Sequence, residues 1–288
     1  MSGTDTSQRW EVLVRYRFIE IIALWEGRLT TRHLCEAFGI GRQQASKDIN
    51  CYNRVIGPGN LYYDKYQKGY LPSDDFVPTV SRGDADDYLL LLASTSELTR
   101  AAGGLPLAGT NTEVLAAPNR AVSPSILRPL VQAARGQRRV EVDYVSLNNP
   151  DREGRIIVPH TLVWTGLRWH VRAWCEKNRD YRDFVLSRFR GDPELLDASP
   201  QGVEGDDTWN TYLEIVIEPD PDLTAAQAEV VAHDHQMQAG QLKLTVRARL
   251  LPYLLQLLRL DNVDPSASPL AQQIVVANRE ELAPWLLG

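Results

Sequence analysis

Seven bases fall between Leu167 and Arg190: Arg168, Arg172, Lys177, Arg179, Arg182, Arg188 and Arg190. Only Glu176, Asp180 and Asp183 stand against them, in a chain whose net charge is -6. Trp169, Trp174, Tyr181, Phe184 and Phe189 are threaded between the bases. Guanidinium forks bind phosphate oxygens in pairs, and aromatic rings stack on nucleobases. Strand alternation in "LRWHVRAW" sends Trp169, Val171 and Ala173 one way and Arg168, His170, Arg172 and Trp174 the other. The first face predicts a core, the second a basic surface bordering a concave site. Upstream, Tyr144 and Ser146 share a strand face, Arg155 and His160 flank the next run, and Arg182 and Arg188 bracket the last. Such a set suits a nucleotide or a short nucleic acid. Ion pairing with Asp143, Glu153, Asp180 or Asp183 across a sheet would use the same charges, and composition alone does not choose between the two.

A second set lies nearer the N-terminus. Arg42, Gln43, Ser46, Lys47, Asn50 and Arg54 share the polar side of a run whose apolar side is Ala45, Ile49, Tyr52 and Ile56. Amides can bridge adenine edges, and cations neutralise phosphates. Lys65 and Lys68 lie in "LYYDKYQKGYLP", within reach of a groove or its backbone. A plain three-helix bundle with a solvated face would share the spacing; the basic hairpin after the third helix favours DNA.

The elements that must hold these residues are readable. Trp10, Leu13, Val14, Phe18, Ile21, Ile22 and Trp25 recur at three- and four-residue steps and predict an amphipathic helix ended by Gly27. Thr30 or Thr31 caps a short helix with Leu34 and Phe38. Gly39-Ile40-Gly41 leads to the third helix, which Gly57-Pro58-Gly59 breaks before two aromatic β runs. Residues 1–80 thus read as a winged helix-turn-helix. Residues 81–136 read as a helical connector, with a helix in "GDADDYLLLLASTSELTRAA", an irregular Gly/Pro-rich piece, and a helix in "SPSILRPLVQAARGQ" started by Ser123 or Ser125. Residues 137–198 hold four or five short strands, turning at Asn148-Asn149-Pro150 and Thr165-Gly166, and suggest a small barrel. Residues 207–288 alternate strands and helices as an α+β sandwich.

The totals bound the class. A chain of 288 residues implies two or three domains. Residues 192–288 carry five bases against sixteen acids, so the preceding part is net positive and could face a polyanion. No apolar run reaches membrane-spanning length, and the polar start "MSGTDTSQRW" has no export core. Three scattered cysteines fit reduced thiols in the cytoplasm. Neither a phosphate-binding Gly-Lys-Ser/Thr loop nor a Gly-x-Ser-x-Gly elbow occurs, and His233-x-His235 lacks a third ligand nearby. No cofactor, metal or catalysis is expected.

The stretch "RIIVPHTLVWTGLRWHVRAWCEKNRDYRDFVLSR" resembles the signature of WYL-domain proteins. Their namesake Trp-Tyr-Leu stands here as Trp169-His170-Val171, so His170 replaces the family tyrosine. The Arg-Trp-His-x-Arg-Ala form and Pro159-His160 are similar to the BrxR- and CapW-type repressors found beside bacterial anti-phage islands. So is the N-terminal run through Ala45-Ser46, Asp48-Ile49, Tyr52, Asn60-Leu61, Tyr63-Asp64, Lys68, Tyr70, Phe76 and Pro78. The resemblance implies a multidomain α+β chain: winged helix-turn-helix, central Sm/SH3-like β-barrel (WYL), and a C-terminal α+β domain that helps hold a homodimer. It implies a ligand pocket on Tyr144, Ser146, Arg155, His160, Arg172, Arg182 and Arg188. The expected function is a homodimeric repressor that binds an inverted-repeat operator in double-stranded DNA, answers to a nucleotide or oligonucleotide ligand at the WYL domain, and controls a phage-defence operon. The alternative is a nucleic-acid-sensing accessory subunit that regulates a partner enzyme; a nucleotide hydrolase has the least support.

Overall fold

In a computed structural model, residues 3–102, 113, 115, 118, 120–147, 150, 151, 153–262 and 268–286 are described. Most of the Gly/Pro-rich connector, and Asn148 and Asn149 of the expected turn, lie outside the described residues. The chain divides into two compact units, 1–116 and 117–288.

In the first unit, helices α1 (Gly3–Glu26), α2 (Thr31–Phe38) and α3 (Arg42–Cys51) precede strands β1 (Leu61–Asp64) and β2 (Gly69–Pro72). Gly39 ends α2 at a φ of 64°, left-handed geometry that favours glycine. Helix α3 runs on into a wider π turn, Tyr52–Ile56. The antiparallel hairpin pairs Tyr63 with Tyr70, and Leu29 adds a bridge to Tyr70. Phe18, Ile19, Ile22, Leu34, Ala45, Ile49, Tyr52 and Leu61 fill one core. The winged helix expected from the spacing is therefore present.

Two buried acids lock this unit. Glu20 of α1 is fully buried and accepts from the Tyr52 hydroxyl at 2.9 Å, the Thr79 amide and hydroxyl at 2.8 and 2.7 Å, and the Val80 and Ser81 amides. Burial pushes its pKa up, but the Ser81 and Thr79 donors outweigh this and hold it below its ordinary value. Asn60 extends the hub, donating to the Tyr52 oxygen at 2.9 Å and to the Val77 carbonyl at 2.8 Å. Asp48 of α3 takes Arg15 Nε from α1 and Gln44 Nε2, both at 2.7 Å. Helix α4 (Ala85–Ala102) begins where Asp87 accepts from Arg17 and from the Arg82 amide, each at 2.7 Å.

In the second unit, α5 (Pro124–Gly136), started by Ser123, packs Leu130 and Ala133 on a five-stranded antiparallel sheet. Its strands are β3 (Arg138–Tyr144), β4 (Glu153–Trp164), β5 (Trp169–Cys175), β6 (Asp180–Val185) and β7 (Phe189–Ala198), in the order β6-β5-β4-β3-β7. The expected barrel is not closed: β6 and β7 form the two ends of the sheet. Where closure would need strand pairing, the Val185 amide donates instead to the Tyr144 hydroxyl at 3.0 Å. A second correction concerns Trp169, expected in the core. It is exposed, because Trp164↔Trp169 is the last rung of the β4–β5 hairpin and the two rings meet each other 5.4 Å apart.

After the crossover that holds the one-turn helix α6 (Asp207–Asn210) come β8 (Tyr212–Pro219), α7 (Ala225–Asp234), β9 (Leu242–Arg247), α8 (Leu251–Leu257), β10 (Ile274–Val276) and α9 (Arg279–Leu282). The strands pair in the order β10-β8-β9. Ile215, Ile217, Val231, Leu251, Leu255 and Leu260 make its core. Among the described residues, no helix is long and apolar enough to cross a membrane, and no group of His, Cys, Asp and Glu could hold a metal ion.

The Glu20 hub has a measurable consequence. Glu20→Gln is expected to cost on the order of 3 kcal/mol, because an amide cannot accept from so many donors. The folded pKa is depressed, so the contribution of Glu20 is present above about pH 4.5 and is lost as pH falls through the folded value. Urea unfolding of wild type and variant should therefore differ at neutral pH and converge in acid.

Candidate functional site

In the first unit, the outer side of α3 presents Arg42, Gln43, Lys47 and Asn50 to solvent, with Ser46 half-buried beside them and Arg54 exposed on the π turn. The buried side carries Ala45, Asp48 and Ile49. Arg15 and Gln44 hold Asp48, so the helix is clamped from behind and its outer side chains start from a rigid base. Lys65 and Lys68 are exposed on the β1–β2 turn. Asp64 Oδ1 shapes that turn by accepting the Tyr66 and Gln67 amides, both at 2.7 Å, and Lys68 adopts a φ of 53°. Tyr66 then projects from the tip, 97% exposed. Arg28, beside Lys68 and Gly69, adds a further base at this edge. The sequence reading passed over Tyr66 and Arg28; their position beside the two lysines of the turn was the available signal.

The expected ligand set is divided between the two faces of the large sheet. On the core face, Val142, Tyr144, Val171, Ala173 and Phe184 pack together. Arg155 lies opposite Val142, its guanidinium 5.4 Å from the Tyr144 ring centre and 5.9 Å from that of Phe184. Arg182 is exposed on the edge strand β6, 3.7 Å from Asp180. Ser146 and Arg188 are half-buried, next to the point where the Val145 amide donates to the Arg188 carbonyl.

The other face brings His160 and Arg172 together, but not around open space. Arg172 is only 3% exposed. Its Nε and Nη2 reach the two oxygens of Asp206 at 2.7 and 3.0 Å, Nη2 also reaches Thr208 at 2.9 Å, and Nη1 meets Asp183 at 3.3 Å. His160 Nε2 is 3.2 Å from the same Asp206 carboxylate, and its Nδ1 is 2.8 Å from the Thr161 hydroxyl. Asp206 is 1% exposed. Burial pushes its carboxyl up, yet the hydrogen bonds of His160 and Arg172 and the charge of Arg172 hold it well below the carboxylate range. Asp183, on the neighbouring strand, also takes Arg249 at 2.7 Å and the Tyr253 hydroxyl at 2.8 Å. The expectation of a basic surface bordering a concave site is thus corrected. The crossover and the C-terminal elements lie over this face, because two buried acids are needed to neutralise Arg172.

His170, where the family has tyrosine, is buried on the same face under the Tyr253 ring, 5.1 Å away. Burial lowers its pKa to about 4; Asp183 opposes the shift, while Arg168 and Arg188 add to it. Asp206, Thr208, Asp183, Arg249 and Tyr253 were not foreseen. They come from the crossover, an edge strand and the acidic third, where no local pattern marks them.

A winged helix, a sheet of WYL type and a closing α+β domain, in that order, are the parts of a WYL-domain regulator. The BrxR transcriptional regulator winged helix-turn-helix domain matches residues 11–94, the WYL domain residues 125–191, and the BrxR transcriptional regulator C-terminal dimerization domain residues 212–282. A DNA-binding transcriptional repressor CapW of Stenotrophomonas maltophilia is 32% identical over 99% of this chain and 95% of its own length. The protein of that name from Escherichia coli (strain KTE188) is 33% identical over 95% of this chain and 91% of its own length. This chain belongs to the BrxR/CapW family of WYL-domain transcriptional regulators. A solved structure, the proteasome accessory factor B/C (PafBC) of Arthrobacter aurescens, aligns with 96% of this chain and 46% of its own at 15% identity and a TM-score of 0.33, a likeness too slight to carry weight.

The His170 environment gives a second prediction. Its folded pKa of about 4 lies below its ordinary 6.5, so between these values the unfolded chain binds the extra proton and stability falls as pH falls. His170→Gln should flatten the dependence of the thermal midpoint on pH across that window, measured by calorimetry.

Proposed function

We propose that this chain is a homodimeric, cytoplasmic transcriptional repressor, not an enzyme, that binds an inverted-repeat operator in double-stranded DNA. The observation that carries the reading is the solvent-facing side of α3, clamped from behind by Arg15–Asp48 and set in one unit with a basic wing. Near-full-length similarity to proteins named as DNA-binding repressors supports it. Gln43, Ser46 and Asn50 supply base contacts; Arg42, Lys47, Arg54, Lys65 and Lys68 supply phosphate contacts. A two-fold dimer matches a two-fold operator, and the match to a C-terminal dimerization domain supports the dimer. The controlled genes are a phage-defence operon, by resemblance to repressors of that setting.

The second half of the proposal is that an anionic ligand, a nucleotide or oligonucleotide, acts at the WYL sheet through the expected residues. Of these, His160 and Arg172 have the geometry for one anion: they already share a carboxylate. Such a ligand controls DNA binding only by favouring one arrangement of the dimer over another.

A mobility shift with the palindrome upstream of the gene tests the reader. Wild type should bind with a steep salt dependence; Lys47→Ala should lower the slope of log affinity against log salt by about 1. Combined with Asn50→Ala, it should lose preference for the palindrome over random DNA. Unchanged preference in the double variant would remove the assignment of α3.

A further inference from the structure

The crossover from the five-stranded sheet to the C-terminal domain runs through residues 199–211. It is fastened at several points: the Ser199 amide donates to the Gln137 carbonyl at 3.0 Å, and the Tyr181 hydroxyl to the Gly202 carbonyl at 2.7 Å. Its deepest anchor is Asp206, whose carboxylate receives the Arg172 fork, His160 Nε2, the Thr208 hydroxyl at 2.9 Å and the Trp209 amide at 3.1 Å. Each of these donors is one that a phosphate oxygen accepts equally well.

We propose that His160, Arg172 and Thr208 form an anion cradle whose built-in occupant is Asp206, and that a ligand's terminal phosphate binds by taking the place of that carboxylate. This rests on the reading that a ligand acts at the WYL sheet, and it names the chemistry and the consequence. A buried guanidinium left with one fewer acid is strongly unfavourable, so Asp206 leaves only when another anion arrives. The exchange is therefore coupled: ligand enters and the crossover lets go. Because Asp206 is tethered beside the cradle, it competes as an anion of high effective concentration, and the ligand must outbid it with contacts of its own. A monoester phosphate does so through its extra charge and oxygens. Arg172 keeps Asp183, which is also held by Arg249 and Tyr253. Occupation thus alters both acids that link the sheet to the elements leading into and out of the C-terminal domain.

The test uses the full chain, with three probes: a single-stranded DNA hexanucleotide bearing a terminal phosphate, the same hexanucleotide without it, and inorganic phosphate. Titration calorimetry should show that Asp206→Asn binds the phosphorylated probe about tenfold tighter than wild type, and that Arg172→Ala does not bind it. The unphosphorylated probe should gain nothing from Asp206→Asn; a gain by inorganic phosphate equal to that of the phosphorylated probe would assign the cradle to the free ion. Hydrogen exchange on wild type, independent of any variant's folding, should speed up at Trp209, Asn210 and Thr211 when the phosphorylated probe is added. If wild type binds in an Arg172-dependent way but these amides stay protected and Asp206→Asn binds no tighter, the exchange is wrong while the ligand reading stands. If neither wild type nor Asp206→Asn binds any probe, the ligand reading itself falls, and the exchange with it.

Discussion

A buried guanidinium fixes the arrangement of the second unit. Arg172 sits in the middle of the sheet with no water to solvate it, so acids must come to it. Asp183 is supplied by the neighbouring strand, and Asp206 has to be brought from beyond the sheet. Bringing Asp206 in folds the crossover over the strand; holding Asp183 brings Arg249 and Tyr253 against it. The C-terminal elements are seated on the sheet by charge neutralisation as much as by apolar contact. Tyr253 shows how closed this environment is: burial, with the charge of Asp183, pushes its hydroxyl up to about 12.

The first unit solves a different problem by related means. A reading surface must be polar outside and yet rigid. Apolar packing of Ala45 and Ile49 sets the rotation of α3, but the polar clamps Arg15–Asp48 and Glu20–Tyr52 fix its position. Hydrogen bonds carry this precision better than oily contacts, because they have preferred directions as well as distances.

How much of this was legible follows from which interactions are local. The α3 pattern, the turn lysines and the hairpin could be read directly, since helix periodicity and Gly/Pro punctuation act over a few residues. Alternation in β5 was also legible, and the two faces separate at Val171 and Arg172 as expected. Alternation does not say what covers the second face. Asp206 lies 46 residues from His160, and Arg249 lies 66 from Asp183, so nothing near Arg172 announced that its charge is answered inside the fold. Trp169 misled for the opposite reason: its face was right, but the sheet's core ends one rung earlier. The sheet's failure to close was likewise hidden, because one hydroxyl, that of Tyr144, takes the amide that closure would have used.

Glu20 also sets the smallest piece of this chain that could be transplanted. Its partners include Thr79, Val80 and Ser81, which follow the wing, and the next turn is tied back to α1 through Arg17 and Asp87. A chimaera that borrows the reading helix and wing but is spliced at Pro78 would leave a bare carboxylate inside the donor core. A graft meant to carry this specificity to another regulator has to include the chain through Asp87, so the splice belongs within α4, beyond its first turn.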